Sequence, residues 1–327
     1  MMAKERDRIL GFDLARVVAI FVVIGIYHNF GYAGLRYYYD AGTKSLSYTA
    51  LGVFTFLSAF LLSSKYTFST SKEIITFLKK RVVRIWPLFA ISSFILVLIH
   101  FNELLATLKG LVGLSPFWAP APTTMWYVAM LISLYMLTPF VLCGKGVLRQ
   151  CTRVVLVMTL LGLIQIVFKS VVPKTHNYYT VFFAGLLLGH NYYEPTMRFL
   201  SAKKTFIVSV IWGILYVIVW ITGNNYLKTF TGILGIVAIL NLCLIVSYFF
   251  VKVKEINSII STLAYSSFCA YLFHREIIWL LLRVKSLGSG WSLFFEVLLV
   301  GVPLTFIIAY VLQHFYDMIV IRINNLK

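Results

Sequence analysis

Ten stretches of roughly 20 apolar residues follow one another along this chain, each about as long as a helix needs to cross a hydrocarbon layer of roughly 30 Å. They fall at 11–31, 46–66, 84–101, 124–142, 153–172, 178–192, 204–222, 228–251, 259–283 and 291–313. Polar or Gly/Pro-rich breaks separate them, such as Gly42-Thr43-Lys44-Ser45, Ser115-Pro116, Pro120-Ala121-Pro122 and Gly288-Ser289-Gly290. The pattern predicts an all-α polytopic membrane bundle of about ten transmembrane helices with both termini cytoplasmic. Only 12% of the residues are charged, against roughly a quarter in a soluble domain. That leaves no material for a separate soluble domain, and residues 1–327 read as one transmembrane unit without internal repeats.

The cations test this count. With the N-terminus inside, the inward segments hold 19 lysines and arginines and the outward segments eight, with Arg16 and Arg275 inside spans. Such an excess follows the positive-inside rule. The net charge of +18 is thereby explained by topology and anionic inner-leaflet lipids, and nucleic acid is not expected as a partner. The basic start followed by an apolar run resembles a signal peptide. It lacks a small-x-small cleavage site and nine more spans follow, so it reads as the first helix. Cys143, Cys151, Cys243 and Cys269 match neither a metal nor a disulfide spacing, and no metal is expected.

Function should lie with the polar residues that an apolar span does not need. Asp13 and Arg16, three apart on the first helix, share a face and can pair. A charge inside a span costs about 2.5–3.5 kcal/mol on insertion scales and is a functional candidate by default; near the inner surface, snorkelling is the plain alternative for Arg16. His28 stands twelve residues further on, about 18 Å along the axis. In the ninth span, Tyr271-Leu272-Phe273-His274-Arg275-Glu276 places His274 about 22 Å from the cytosolic end, against about 24 Å for His28. Two histidines at matched depth suggest a polar pocket in the outer half of the membrane. Arg81 and Arg84 share a face where the third span begins. They serve either topology or, as rigid forks, phosphate oxygens. Trp118 and Trp126 flank the fourth span as interfacial anchors. His100, His176, His190 and His314 fall at helix ends or in loops.

These residues also carry a resemblance. Asp13-x-x-Arg16-x-x-Ala19 on a helix ending in Tyr27-His28 resembles the first helix of the acyltransferase 3 family of membrane acyltransferases. Val53-Phe54-Thr55-Phe56-Leu57-Ser58-Ala59-Phe60 is similar to its second-helix stretch, with Ala59 where the family usually has glycine. Arg81-Val82-Val83-Arg84-Ile85-Trp86-Pro87 resembles its Arg-x-x-Arg-Ile-x-Pro motif, Met125-Trp126-Tyr127-Val128 its outer Trp motif, and Tyr271-Leu272-Phe273-His274 its Tyr-Leu-x-His motif. One departure is structural. The family typically has ten residues between the first-helix arginine and histidine, and this chain has eleven, Val17 to Tyr27. The extra residue turns His28 by about 100° in an ideal helix, unless a π-bulge near Gly25 absorbs it.

The resemblance implies transfer of an acyl group, usually acetyl, from cytosolic acyl-CoA to a hydroxyl of a cell-surface polysaccharide or lipid-linked glycan, in a cell membrane and most naturally a bacterial inner membrane. Arg81, Arg84 and Arg16 would hold the CoA phosphates, with Asp13 orienting Arg16. His28, as a histidine with its ordinary pKa of about 6.5, would deprotonate the acceptor or itself carry the acyl group. His274, Tyr271 and Trp126 are the candidates for positioning the acceptor, and the aromatic residues Tyr37-Tyr38-Tyr39 and Phe117-Trp118 for stacking on sugar rings. A transporter or flippase without covalent chemistry is the competing class, although no inverted repeat or matching pair of broken helices supports it. A structural partner with a degenerate site is a third. The sequence carries no signal for oligomeric state.

Overall fold

Inside a bilayer each backbone N–H and C=O must find its partner within the protein, and a helix alone satisfies this segment by segment. The computed structural model describes residues 9–118, 120–144, 146–167, 175–284 and 288–325. Among these, helices form at all ten expected spans; no strand forms, and the sole β contact is an isolated bridge between Phe68 and Cys143. Lys4, Arg6, Arg8, Lys145, Lys169, Lys174, Lys285 and Lys327 of the charge count, residues 168–172 of the fifth span and the His176 side chain lie outside the described residues.

In chain order the helices are α1 (Leu10–Tyr32), α2 (Ala41–Ser63), α3 (Ser71–Leu98), α4 (Leu104–Leu111), α5 (Trp126–Leu142), α6 (Val147–Val167), α7 (Thr175–Asn191), α8 (Tyr193–Ser201), α9 (Phe206–Thr222), α10 (Asn225–Phe250), α11 (Lys254–Val284) and α12 (Trp291–Arg322). Among the described residues eight are long and apolar enough to cross a membrane, α5 is a shorter apolar helix of 17 residues, and α7, also of 17 residues, forms at the remaining expected span. The short helices α4 and α8 were not foreseen from hydropathy, because neither is an apolar span.

The largest departure is α3. The apolar run begins at residue 84, but the helix begins at Ser71. Its start is fixed by a capping box: Glu73 N–H donates to Thr70 Oγ1 at 3.3 Å, and Thr70 N–H donates back to Glu73 Oε2 at 3.1 Å. The first turns are polar and Lys-rich, so hydropathy alone misses them. Arg81 and Arg84 therefore stand about 15 and 20 Å along α3, well inside the helix and not at its first turn.

The described residues divide into two compact units, one of those from Thr55 to Tyr193 and one of those up to Phe54 and from Glu194 onward; α2 runs across the division. In the first unit, α3 packs on α4 and α5, and α7 packs on α5 and α6. There α7 also approaches the end of α2. A Cβ added at Gly185 would lie 3.0 Å from both the Ala59 Cβ and the Phe56 carbonyl, and one at Gly189 would collide with the Phe60 carbonyl. Ala59, despite replacing the family's usual glycine, thus sits at a close approach of two backbones. The missing Cβ atoms are on α7, in a Gly-x-x-x-Gly spacing that permits such approach. In the second unit, α1 packs on α10 and α11, α11 on α12, and α9 on α10.

Candidate active site

The first helix carries its extra residue in a π-helical segment. Leu10–Phe21 is α-helical, Val22–His28 is π-helical, and Asn29–Tyr32 returns to α. A π-bulge takes up one residue in a turn, which offsets the rotation that eleven intervening residues would otherwise give His28. Gly25 lies at the middle. A Cβ there would stand 3.2 Å from the Phe21 ring and 3.4 Å from Leu298 Cδ1. Leu298 belongs to a second π-helical segment, Val297–Gly301 in α12, and the two segments pack together. The Asn29 side-chain amide donates to the Gly25 carbonyl at 3.2 Å and to the Phe294 carbonyl at 2.9 Å, tying α1 to α12 beside His28.

This register brings the two depth-matched histidines together. The ring centroids of His28 on α1 and His274 on α11 are 5.0 Å apart. Arg275 Nη2 donates to His28 Nδ1 at 3.0 Å, and the His274 Nδ1 lies 2.7 Å from the Tyr271 carbonyl, to which it donates. The Arg275 guanidinium also lies 5.9 Å from the Tyr32 ring centroid. His28, His274, Arg275 and Glu276 are 9%, 0%, 7% and 9% exposed, so a polar cluster is enclosed at the packing of α1 on α11. The Tyr271 ring lies tilted 6.0 Å from His274, and Tyr27 meets the edge of His28 at 5.0 Å. His274 Nε2 is buried and has no hydrogen-bond partner among the described residues.

Asp13 and Arg16 form the expected pair, Arg16 Nη1 donating to Asp13 Oδ1 at 2.9 Å, with Asp13 buried and Arg16 partly exposed. Arg81, Arg84 and Trp126 belong to the first unit. Arg81 lies over the rings of Phe77 at 5.6 Å and Tyr135 at 6.0 Å, and its Nε is buried without a hydrogen-bond partner among the described residues. Arg84 is exposed. Trp126 packs 5.9 Å from both Tyr127 and Tyr178, and the Tyr127 hydroxyl meets Thr55 Oγ1 at 3.0 Å. Of the aromatic run at 37–39, Tyr37 packs against Phe30, Trp220 and Trp291, and Tyr38 against Tyr27 at 4.9 Å, whereas Tyr39 is exposed. Tyr39 meets the Tyr38 ring edge-on at 5.1 Å, so all three contact the protein's own rings.

Sequence reading singled out the histidines but gave no role to Arg275, the group that holds His28. The signal was present, since Arg275 is one of two arginines inside spans, yet nothing in one dimension shows that its fork reaches α1. Asn29 was also passed over; one amide next to an intramembrane histidine does not announce two carbonyl partners. Among the described residues no three His, Cys, Asp or Glu side chains are grouped to hold a metal ion.

Long apolar helices bundled around an enclosed cluster of two histidines and an arginine define a multi-pass membrane protein. The family comparison is more specific: residues 9–314 match the acyltransferase domain of the acyltransferase 3 family, and the chain belongs to that family. It is a multi-pass membrane acyltransferase. Comparisons with curated proteins and with solved structures gave no match.

Proposed function

We propose that this acyltransferase moves an acyl group, acetyl in the first instance, from cytosolic acyl-CoA to a hydroxyl of a cell-surface glycan or lipid-linked sugar, in a bacterial inner membrane. The observation that carries the reading is the enclosed His28–His274–Arg275 cluster in a chain of this family. A buried imidazole with an unpartnered ring nitrogen, as at His274 Nε2, suits proton transfer at an acceptor hydroxyl, and a low-dielectric surround strengthens each hydrogen bond to the developing charge.

For the donor, Arg81 is the strongest phosphate candidate of the first unit. Its Nε is an unmet buried donor, and a guanidinium suits phosphate geometry. Arg84 shares its face. In the second unit Arg16, held by Asp13, is the corresponding candidate; its axial separation from His28, about 18 Å by helix rise, is comparable with the reach of a pantetheine arm. Tyr271 and Trp126 remain candidates for positioning the acceptor. The π-helical segment of α1 supports an intact site, since it accommodates the extra residue beside His28.

Acetyl-CoA binding to purified protein, wild type beside the Arg81/Arg84 double alanine variant, tests the donor. Saturable binding lost in the variant is the expected result. Absence of binding by folded wild type to acetyl-CoA and to longer acyl-CoAs would reject the acyl-CoA donor.

A further inference from the structure

The two histidines of the cluster are held in opposite tautomers. Arginine has N–H donors and no acceptor, so the 3.0 Å contact from Arg275 Nη2 requires a bare lone pair on His28 Nδ1. The single proton of the neutral His28 ring is then on Nε2. The Tyr271 carbonyl only accepts, so the 2.7 Å contact at His274 requires a proton on Nδ1. The neutral His274 ring then presents Nε2 as a bare lone pair, and that atom has no partner among the described residues. With the rings 5.0 Å apart, one group that only donates and one that only accepts stand side by side.

We propose that His274 Nε2 is the proton acceptor of the transfer reaction and that His28 Nε2–H is a fixed hydrogen-bond donor to the thioester oxygen. The assignment rests on the acyl-CoA-to-hydroxyl reading above. In the step it defines, the acceptor hydroxyl gives its proton to His274 Nε2 as its oxygen bonds to the thioester carbon. The carbonyl oxygen, now negative, accepts from His28 Nε2–H, with the Arg275 cation behind the ring. Collapse breaks the carbon–sulfur bond, and the proton on His274 passes to the departing thiolate. No redox partner or metal is required, and every proton returns. Burial without a partner is costly for a ring nitrogen; a substrate hydroxyl filling that place relieves the cost on binding.

Two measurements test this, and only one depends on the reaction. Solid-state 15N spectra of histidine-labelled wild type in bilayers, above pH 8, report which ring nitrogen carries each proton. Signals are assigned from their loss in His28→Gln and His274→Gln. The expected result is an Nε2–H ring at His28 and an Nδ1–H ring at His274; the reverse at either ring overturns the proposal, whatever the protein transfers. In the second, thiol release from acetyl-CoA is followed with water and glycerol as acceptor probes. A glutamine amide near Nε2 can donate but cannot take a proton. His28→Gln should therefore keep at least about tenfold more activity than His28→Ala, since one oxyanion donor is worth roughly 10²–10³-fold. His274→Gln should be as inactive as His274→Ala, a loss of about 10²–10⁴-fold. An active His274→Gln beside an inactive His28→Gln would overturn the assignment. Failure of folded wild type to bind or cleave acetyl-CoA would instead strike the donor reading, and leave the tautomers to be judged by the spectra.

Discussion

Arg275 is the residue on which the geometry of the cluster turns. It is enclosed in a span, where a charge survives only with partners, and its Nη2 occupies the one nitrogen of His28 that faces it. Replacing it by methionine keeps the length and apolar volume of the stem but removes the donor. His28 is then free to exchange tautomers, and the 15N signal of its ring should change from one protonated nitrogen to a mixture, while acetyl transfer falls by about tenfold or more, as for loss of a charged hydrogen bond. Asp13 differs in kind. It holds Arg16 at 2.9 Å, and Asp13→Asn should weaken acetyl-CoA binding if Arg16 meets a phosphate, with little effect on turnover at saturating donor; equal losses in both would place Asp13 outside that role. His28 and His274 were legible from one dimension because a depth can be counted at 1.5 Å per residue. Their tautomers were not, because a tautomer is decided by what lies opposite each nitrogen.

At the scale of the element, α1 shows how one residue of sequence becomes a change of helix type. Eleven residues between Arg16 and His28 are one too many for an α-helix to keep both in the family's register, and the π-helical stretch Val22–His28 takes up the excess. Deleting Val23 should therefore let α1 run as a regular helix with its histidine still against α11, and retain transfer. Inserting one alanine after Ile24 should turn the histidine by about a further 100° and abolish it; equal loss in both variants would reject the register argument. In α3 the capping box extends the helix 13 residues upstream of the apolar run, so Thr70→Ala should cost about 1 kcal/mol, seen as faster amide exchange confined to its first turns. In α7, Gly189→Leu places side-chain atoms against the Phe60 backbone, and the melting temperature in detergent should fall by the equivalent of about 1–3 kcal/mol.

For the whole molecule, the hydropathy of the chain was sufficient for the class. Each of the ten apolar runs became helical because no other structure lets a lipid-enclosed backbone satisfy itself. The asymmetry of cations predicts the orientation, and labelling checks it: with native cysteines replaced by serine, a cysteine at Lys203 should react with an impermeant maleimide only in inverted vesicles, and one at Lys228 only in intact cells. What hydropathy did not reveal was the division into two compact units, since both are built from the same kind of apolar helix and α2 passes through the boundary without a break.

The sequence by itself determined the helical membrane class, the positions of the spans and the family, because these depend on the length, period and order of residues along one dimension. It also marked His28 and His274 at one depth. The tertiary structure alone decided that α1 and α11 are neighbours and that the fork of Arg275 reaches His28. The contact of Arg275 with His28 joins residues 247 positions apart, and a hydrogen bond at 3 Å across that separation is a property of packing, to which the order of residues along a chain is blind.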